Sequence, residues 1–154
     1  MKIAVYPGSF DPITNGHFHI LNRACQVFDK VIVLVADNPN KSSTFSSQER
    51  VEMIKEATKE NKQVEVYADS GLTVEFAKRH GATHLIRGLR AVSDFEYEFQ
   101  LASANEFVDP SIDMVFFMAR GDKTFISSSA IMEMHQSGVD VSSLVPHSVM
   151  KRLK

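Results

Sequence analysis

Five short apolar segments alternate along the chain with stretches of helical periodicity, and this alternation constrains the fold more than any other feature. The apolar segments are residues 2–6, 31–36, 63–68, 83–86 and 114–119. The second of them, "VIVLVA", is apolar at every position, which is typical of a strand that is covered on both faces. Helical patterns lie between the segments and after the last, at 17–28, 45–57, 72–80, 91–107 and 127–137, and Pro146 can start a final short helix. The alternation predicts an α/β fold with a doubly wound, five-stranded parallel sheet.

Length and charge narrow the class of protein. With 154 residues and no linker or repeat, we expect a single domain over residues 1–154. A formal net charge of −2 excludes a global basic field, so we expect neither a nucleic-acid nor a membrane partner. One cysteine excludes an internal disulfide, and the six-residue apolar run is too short to span a bilayer. Because Pro7 and Gly8 also interrupt the first apolar segment before it could form a signal peptide, we expect a cytoplasmic location.

The loops after the five predicted strands should carry the function, because doubly wound sheets bind ligands beyond the carboxyl ends of their strands. These loops are residues 7–16, 37–46, 69–71, 87–90 and 120–127. The first is about ten residues long and rich in Pro, Gly and Asn, whereas a plain connection needs roughly two to six. It delivers His17 to the start of a helix, where a histidine can donate a hydrogen bond to a phosphate oxygen.

Two neighbours of His17 need a separate interpretation. His19 lies two residues on, about 200° around the helix, so the pair makes a poor zinc site and we predict no metal site there. Asp11 precedes Pro12 in a tight turn. It could help to orient magnesium, but an aspartate in this position commonly bonds its own backbone, and we favour the structural role.

Two other loops contain further candidates for phosphate binding. Arg87 and Arg90 directly follow a predicted strand, and arginines reach phosphate oxygens with forked donors. Three serines, Ser127 to Ser129, open the fifth predicted helix. One serine is enough to cap a helix, so three indicate that hydroxyl and backbone N–H groups converge on an anion.

Three stretches carry a resemblance to a known family. "GSFDPITNGH" resembles the T-x-G-H signature of the nucleotidyltransferase superfamily, in Thr14, Gly16 and His17. "FISSSAI", residues 125–131, is similar to the serine-rich stretch of the same superfamily. "LIRGLRAVSDFEYEFQ", residues 85–100, resembles the phosphopantetheine adenylyltransferases, and all three stretches occur in that family's order and spacing. The resemblance covers the whole chain and implies a Rossmann-like nucleotidyltransferase fold.

The resemblance also implies a reaction. Members of the family convert ATP and 4′-phosphopantetheine to dephospho-coenzyme A and pyrophosphate with Mg²⁺, and are typically hexamers. The catalytic positions correspond to His17, Lys41 and Arg90. The phosphopantetheine contacts correspond to Ser9, Lys41, Thr73 and Arg87. The ATP contacts correspond to Ser9, Phe10, His17, Gly88, Leu89, Arg90, Glu98, Lys123, Thr124, Phe125, Ile126, Ser127, Ser128 and Ser129.

Two other functions remain open. One is another transferase of the same superfamily, acting on nicotinamide mononucleotide or using CTP with an alcohol phosphate. Only the resemblance of "IRGLRA" and "FEYE" argues against it. The other is a nucleotide-binding regulatory module without turnover, which would not need His17 beside Lys41.

Overall fold

The structure is a computed structural model that describes residues 1–120 and 126–154. Five parallel strands form one sheet in the order β3-β2-β1-β4-β5. The strands are β1 (Ile3–Gly8), β2 (Lys30–Ala36), β3 (Val64–Asp69), β4 (His84–Leu89) and β5 (Asp113–Met118). The helices are α1 (Asn15–Val27), α2 (Ser47–Ala57), α3 (Thr73–Arg79), α4 (Val92–Val108), α5 (Ser128–Gln136) and α6 (His147–Met150). The predicted α/β fold is confirmed, and the single-domain organisation stays a prediction.

Both faces of the sheet are covered, as the uninterrupted apolar run of β2 predicted. Val31, Val33 and Val35 point to one face, in a core that also includes Leu21 of α1 and Ile54 of α2. On the opposite face, Ile32 and Leu34 belong to a second core, with Val74, Phe76 and Ala77 of α3. Alternate residues of one strand therefore enter two cores, and each of the five is at most 1 % exposed.

The strand order places one crevice at the carboxyl end of the sheet. The chain moves outward from β1 through β2 to β3, then crosses back so that β4 pairs with β1 on its other side. Ligands of open α/β sheets bind at such a reversal of strand order. The loops that follow β1 and β4 therefore share this position.

Two strands extend further than the sequence indicated. β1 continues through Pro7 and Gly8, which pair in register with Leu34 and Val35 of β2. β4 likewise continues through Arg87 to Leu89, whereas the sequence predicts a loop from residue 87. That prediction was wrong because backbone pairing with β5 outweighs the weak strand preference of glycine.

Capping residues set the helix ends. α1 begins at Asn15, two residues earlier than predicted, because the Thr14 hydroxyl accepts from the backbone N–H of His17. At α2, Ser46 and Glu49 form a capping box. Gly81 follows α3 with φ of 74°, the left-handed conformation in which glycine commonly ends a helix. Within the described ranges, no helix combines the length and apolar character needed to cross a bilayer.

Candidate active site

A cleft of about 610 Å³ lies where the loops after β1, β2 and β4 meet the start of α5. Its volume is in the range of small-ligand sites, roughly 300–1,000 Å³. Twelve residues predicted for the site line it: Ser9, Phe10, His17, Lys41, Arg87, Gly88, Arg90, Glu98, Ile126, Ser127, Ser128 and Ser129. The structure thus brings together segments that are more than a hundred residues apart in the chain.

Within the described residues, two predicted site residues, Leu89 and Thr73, are not among those that line the cleft. Leu89 is paired with Met118 at the end of β4 and is partly buried. Thr73 is the first residue of α3, beyond the end of β3. Lys123, Thr124 and Phe125 lie outside the described residues. The predicted roles of all five stay predictions.

Phe10 is held in an unusual backbone conformation in the loop after β1. Its φ is 46°, a region that non-glycine residues seldom adopt. The ring is buried and meets the rings of Tyr6 at 5.2 Å and His17 at 5.0 Å, both edge to face. A Cβ on Gly8 would lie 3.0 Å from the Phe10 ring, so only glycine gives this ring its room. Such strain commonly occurs at functional sites.

The imidazole of His17 is fixed by a capping box at the start of α1. Its Nδ1 accepts from the backbone N–H of Thr14 at 3.0 Å, and the Thr14 hydroxyl accepts from the His17 backbone N–H at 3.2 Å. Because Nδ1 is an acceptor, a neutral His17 carries its proton on Nε2. The side chain therefore offers one N–H donor to a ligand in the cleft.

His17 stays neutral over the physiological pH range. Burial lowers the pKa of His17, and the positive charges of Arg90 and Arg87 act in the same direction, so that together they bring it to about 4. The residue thus acts as a hydrogen-bond donor without a net charge, while the charge that attracts phosphate comes from the arginines.

Arg87 is oriented by a buried carboxylate. Its Nε and Nη2 donate to the two oxygens of Glu98 at 2.9 and 2.7 Å, and its Nη1 donates to the carbonyl of Pro7 at 3.1 Å. Burial lowers the pKa of Arg87, but the hydrogen bonds and charge of Glu98 outweigh it and raise the pKa overall. Three N–H donors are engaged, which leaves two of the five on a guanidinium for a ligand. The family resemblance implies an ATP contact for Glu98, and the structure shows both of its carboxylate oxygens accepting from Arg87.

Arg90 and the start of α4 are linked by Asp94. One oxygen of Asp94 accepts from the backbone N–H groups of Arg90 at 3.0 Å and Ala91 at 3.1 Å, and lies 3.6 Å from the Arg90 Nε. Arg90 itself is exposed on the rim of the cleft. The three acidic residues of this segment therefore lie in different environments, since Asp94 caps a helix, Glu98 is buried and Glu96 is exposed.

Each of the three serines has its own contact. Ser127 caps α5 by accepting from the backbone N–H of Ala130 at 3.2 Å. Ser128 donates to the carbonyl of Pro12 at 2.8 Å, which joins α5 to the loop after β1. The hydroxyl of Ser129 lies 3.2 Å from that of Ser127. Two serines thus have structural tasks, and the helix start that they form still faces the cleft.

Asp11 joins two loops. Its carboxylate accepts from the backbone N–H groups of Thr44 at 2.7 Å and Phe45 at 2.9 Å. The structural role that we favoured is therefore the better one, but the partners lie 33 and 34 residues away rather than in its own turn. Both oxygens are engaged, which argues against a magnesium ligand.

Sequence reasoning missed Arg50. This side chain is 4 % exposed and reaches the carbonyl of Ser9 from α2, on the wall of the cleft. The only signal in the sequence is its place in the first turn of a helix, where the positive end of the helix dipole disfavours a cation.

Comparison with known proteins agrees with the geometry. The cytidylyltransferase-like family profile matches residues 5–134. The phosphopantetheine adenylyltransferase of Roseiflexus sp. (strain RS-1) is 51% identical over 154 residues, which is 100% of this chain and 96% of the relative. That of Nautilia profundicola is 47% identical, covering 97% of each chain, and that of Heliobacterium modesticaldum 49% identical, covering 99% and 91%. The chain belongs to the phosphopantetheine adenylyltransferase family. Membership of this family also makes it a nucleotidyltransferase, so the predicted family and enzyme class are both confirmed.

Within the described part of the chain, no three histidine, cysteine, aspartate or glutamate side chains are grouped as metal ligands. The acidic residues that line the cleft are Asp11, Asp94 and Glu98, and each already accepts hydrogen bonds from the protein. For a member of this family, that donor set suits Mg²⁺ that arrives bound to phosphate oxygens and water, as Mg²⁺ commonly does.

Proposed function

We propose that this enzyme binds MgATP and 4′-phosphopantetheine in the cleft and joins them by in-line attack. An oxygen of the acceptor phosphate forms a bond to the α-phosphorus of ATP, and the bond from that phosphorus to the bridging oxygen of pyrophosphate breaks. The products are dephospho-coenzyme A and pyrophosphate. The observation that carries the proposal is the neutral His17, which presents an Nε2–H donor beside Arg87 and Arg90.

His17 is proposed to bind the α-phosphate. A neutral N–H donor keeps its proton while negative charge builds up on the non-bridging oxygens, and it can strengthen its hydrogen bond as that charge grows. Preorganised donors of this kind are worth about 3–4 kcal/mol, or 10²–10³ in rate. The capping box preorganises His17, because Thr14 fixes both its tautomer and its ring.

The positively charged side chains of the cleft are proposed to bind the other phosphate groups of the two substrates. Lys41 and Arg90 are exposed at the rim, where they can reach the acceptor and the departing pyrophosphate. Arg87 is proposed to hold the phosphate of phosphopantetheine through the N–H donors that Glu98 and Pro7 leave available. Magnesium, as part of the MgATP substrate, would supply further charge neutralisation.

No general base is needed in this reaction. The nucleophile is a phosphate monoester, whose second pKa is near 6, so it is already ionised near neutral pH. What the protein supplies is in-line positioning and charge stabilisation, which account for most of catalysis in phosphoryl-transfer enzymes.

The remaining contacts are proposed from the family resemblance. Ser9 would contact both substrates, and Thr73 the pantetheine portion. The ATP contacts would be Phe10, Gly88, Leu89, Glu98, Lys123, Thr124, Phe125, Ile126, Ser127, Ser128 and Ser129.

Assembly and location are also proposals. A homohexamer, which the family resemblance implies, is supported by the exposed apolar side chains that α4 and the end of β5 present, including Phe99 at 59% and Phe107 at 90% exposure. Light scattering should then give about 103 kDa for six 17.2-kDa chains. The cytoplasmic location stays a prediction that cell fractionation tests.

The test of the reaction is pyrophosphate release in three parallel mixtures. ATP, Mg²⁺ and 4′-phosphopantetheine should release pyrophosphate, whereas CTP with glycerol 3-phosphate and ATP with nicotinamide mononucleotide should not. Release in either of the last two would reject the proposed acceptor. ATP binding without release in any mixture would favour a regulatory module.

A further inference from the structure

Arg50 occupies a position that local preferences disfavour. It is the fourth residue of α2, close to the positive end of the helix dipole, and its side chain is 4 % exposed. A guanidinium stays charged in proteins, and burying that charge costs free energy unless it is well hydrogen-bonded. A residue that breaks a local rule in this way is expected to have a tertiary or functional reason.

The contacts of Arg50 join three segments of the chain. Its Nη1 donates to the carbonyl of Ser9 at 2.8 Å. Its Nε lies 3.1 Å from the carbonyl of Phe45 and 3.3 Å from that of Ser46. Its Nη2 forms an ion pair with the Oδ1 of Asp37 at 3.7 Å.

Two of these segments are the two ends of one loop. Residues 37–46, which we call the Lys41 loop, connect β2 to α2. Asp37 directly follows β2, and Phe45 and Ser46 directly precede α2. The guanidinium of Arg50 therefore contacts both ends of the loop and joins them to the carbonyl of Ser9.

From Ser9 the contacts lead to His17. Ser9 precedes Phe10, whose left-handed backbone places its ring 5.0 Å from the His17 ring. Asp11 links the same two loops a second time. Here the side chain is the acceptor, because the Asp11 carboxylate accepts from the backbone N–H groups of Thr44 and Phe45. The Asp11 carboxylate, which accepts from N–H groups, and the Arg50 guanidinium, which donates to carbonyls, thus both join the loop after β1 to the Lys41 loop.

Only an arginine fits this arrangement. The planar guanidinium presents donors in diverging directions, while a lysine has one compact ammonium and cannot reach the same carbonyls together. Arg50→Lys therefore keeps the positive charge but cannot make all of these hydrogen bonds. This variant separates the effect of the hydrogen-bond arrangement from the effect of the charge.

We propose that Arg50 is a positioning residue that fixes the Lys41 loop to the loop carrying Ser9 and Phe10, so that Lys41 and His17 meet the substrates in one geometry. The inference rests on the proposed function. A misplacement of about 1 Å can cost 10²-fold in rate, so we expect Arg50→Lys to lower kcat by about 10- to 100-fold.

A double-mutant cycle with Lys41→Ala tests the coupling. If Arg50 acts through Lys41, then Lys41→Ala should lower kcat at least tenfold in the wild-type background but less than about threefold in Arg50→Lys, since coupled residues are not additive. Arg152→Lys is the matched control, because Arg152 also binds a carbonyl, of Ser148, and a carboxylate, of Glu56, and does not line the cleft. It should leave kcat within twofold.

Two results overturn the proposal. One is that the effects of Arg50→Lys and Lys41→Ala on kcat multiply. The other is that Arg50→Lys lowers the thermal unfolding midpoint while kcat stays within twofold of wild type. If Arg50→Lys does not fold, the same cycle with Asp37→Asn decides, with a smaller loss of kcat expected in the same direction.

Hydrogen exchange separates this proposal from the proposed function. In Arg50→Lys, amides in peptides spanning residues 38–46 should lose protection, whereas Arg152→Lys should leave them unchanged. Unchanged protection in Arg50→Lys overturns the coupling whether or not turnover is seen. Absence of pyrophosphate release by the wild-type enzyme in parallel rejects the proposed function instead.

Discussion

Replacing His17 should separate catalysis from substrate binding. His17→Ala removes the Nε2–H donor that we assign to the α-phosphate, a contact that strengthens as charge builds up in the transition state. A donor of this kind is worth about 3–4 kcal/mol, so kcat should fall by 10²–10³. The dissociation constant of MgATP should change by less than about fivefold, because the arginines and lysine that attract the triphosphate remain. Steady-state kinetics and isothermal calorimetry measure the two quantities.

The same substitution also affects the start of α1. The hydrogen bond from the Thr14 backbone N–H to the His17 Nδ1 is lost, which should lower the free energy of unfolding by about 1 kcal/mol in urea titrations. His17→Gln should restore this stability, since a glutamine at the third helical position completes a capping box. It should not restore kcat, because its amide is not held where the imidazole Nε2 lies.

His19→Ala is the matched control on the same helix. The Nε2 of His19 is buried and has no hydrogen-bond partner in the described part of the chain, and it does not line the cleft. Its removal should leave kcat within twofold. The account of His17 is refuted if His17→Ala weakens MgATP binding by the same factor as it lowers kcat, or if His17→Gln recovers full turnover.

Three further substitutions have definite expectations. Gly8→Ala should displace the Phe10 ring, because the new Cβ would lie 3.0 Å from it. Overpacking of this kind lowers stability by about 1–3 kcal/mol. Unchanged kcat and stability would contradict this contact. Asp11→Asn leaves one of two backbone N–H groups unpaired and should lower stability by about 1–3 kcal/mol in urea, whereas a wild-type midpoint would count against the loop link. Glu98→Gln removes the charge that orients Arg87. The KM for 4′-phosphopantetheine should therefore rise about tenfold, with kcat less affected. A rise in the KM for ATP alone would indicate a direct contact between Glu98 and ATP instead.

The order of the elements could be predicted from the sequence because periodicity reports burial. The apolar run of β2 and the helical stripes each reflect which face is covered. The extent of β4 could not be predicted in this way, since Arg87 and Gly88 have no apolar pattern and join the sheet only through backbone pairing with β5.

Site residues could be predicted where a single short segment of the sequence indicates their function. His17 at a helix start and Arg87 at the end of an apolar segment could both be predicted from the local sequence, and both line the cleft. The contacts that join separate segments of the site could not be predicted from the sequence, because they depend on how those segments pack together. Arg50 reaches Ser9 across 41 residues, and Asp11 reaches Thr44 across 33. Neither hydrophobic periodicity nor a short motif predicts contacts between residues so far apart in the chain.

The protonation state of His17 is the most direct test of the account. Turnover alone cannot report it, because the phosphate monoester of the acceptor itself titrates near pH 6. Histidine-selective ¹⁵N labelling resolves the six histidines by NMR, and His17→Gln assigns the relevant signals. Since burial and the charges of Arg90 and Arg87 lower the pKa of His17 to about 4, we predict the neutral Nε2–H tautomer from pH 8 down to about pH 5. A titration midpoint near the ordinary value of about 6.5, or a proton on Nδ1, would contradict the proposed mechanism.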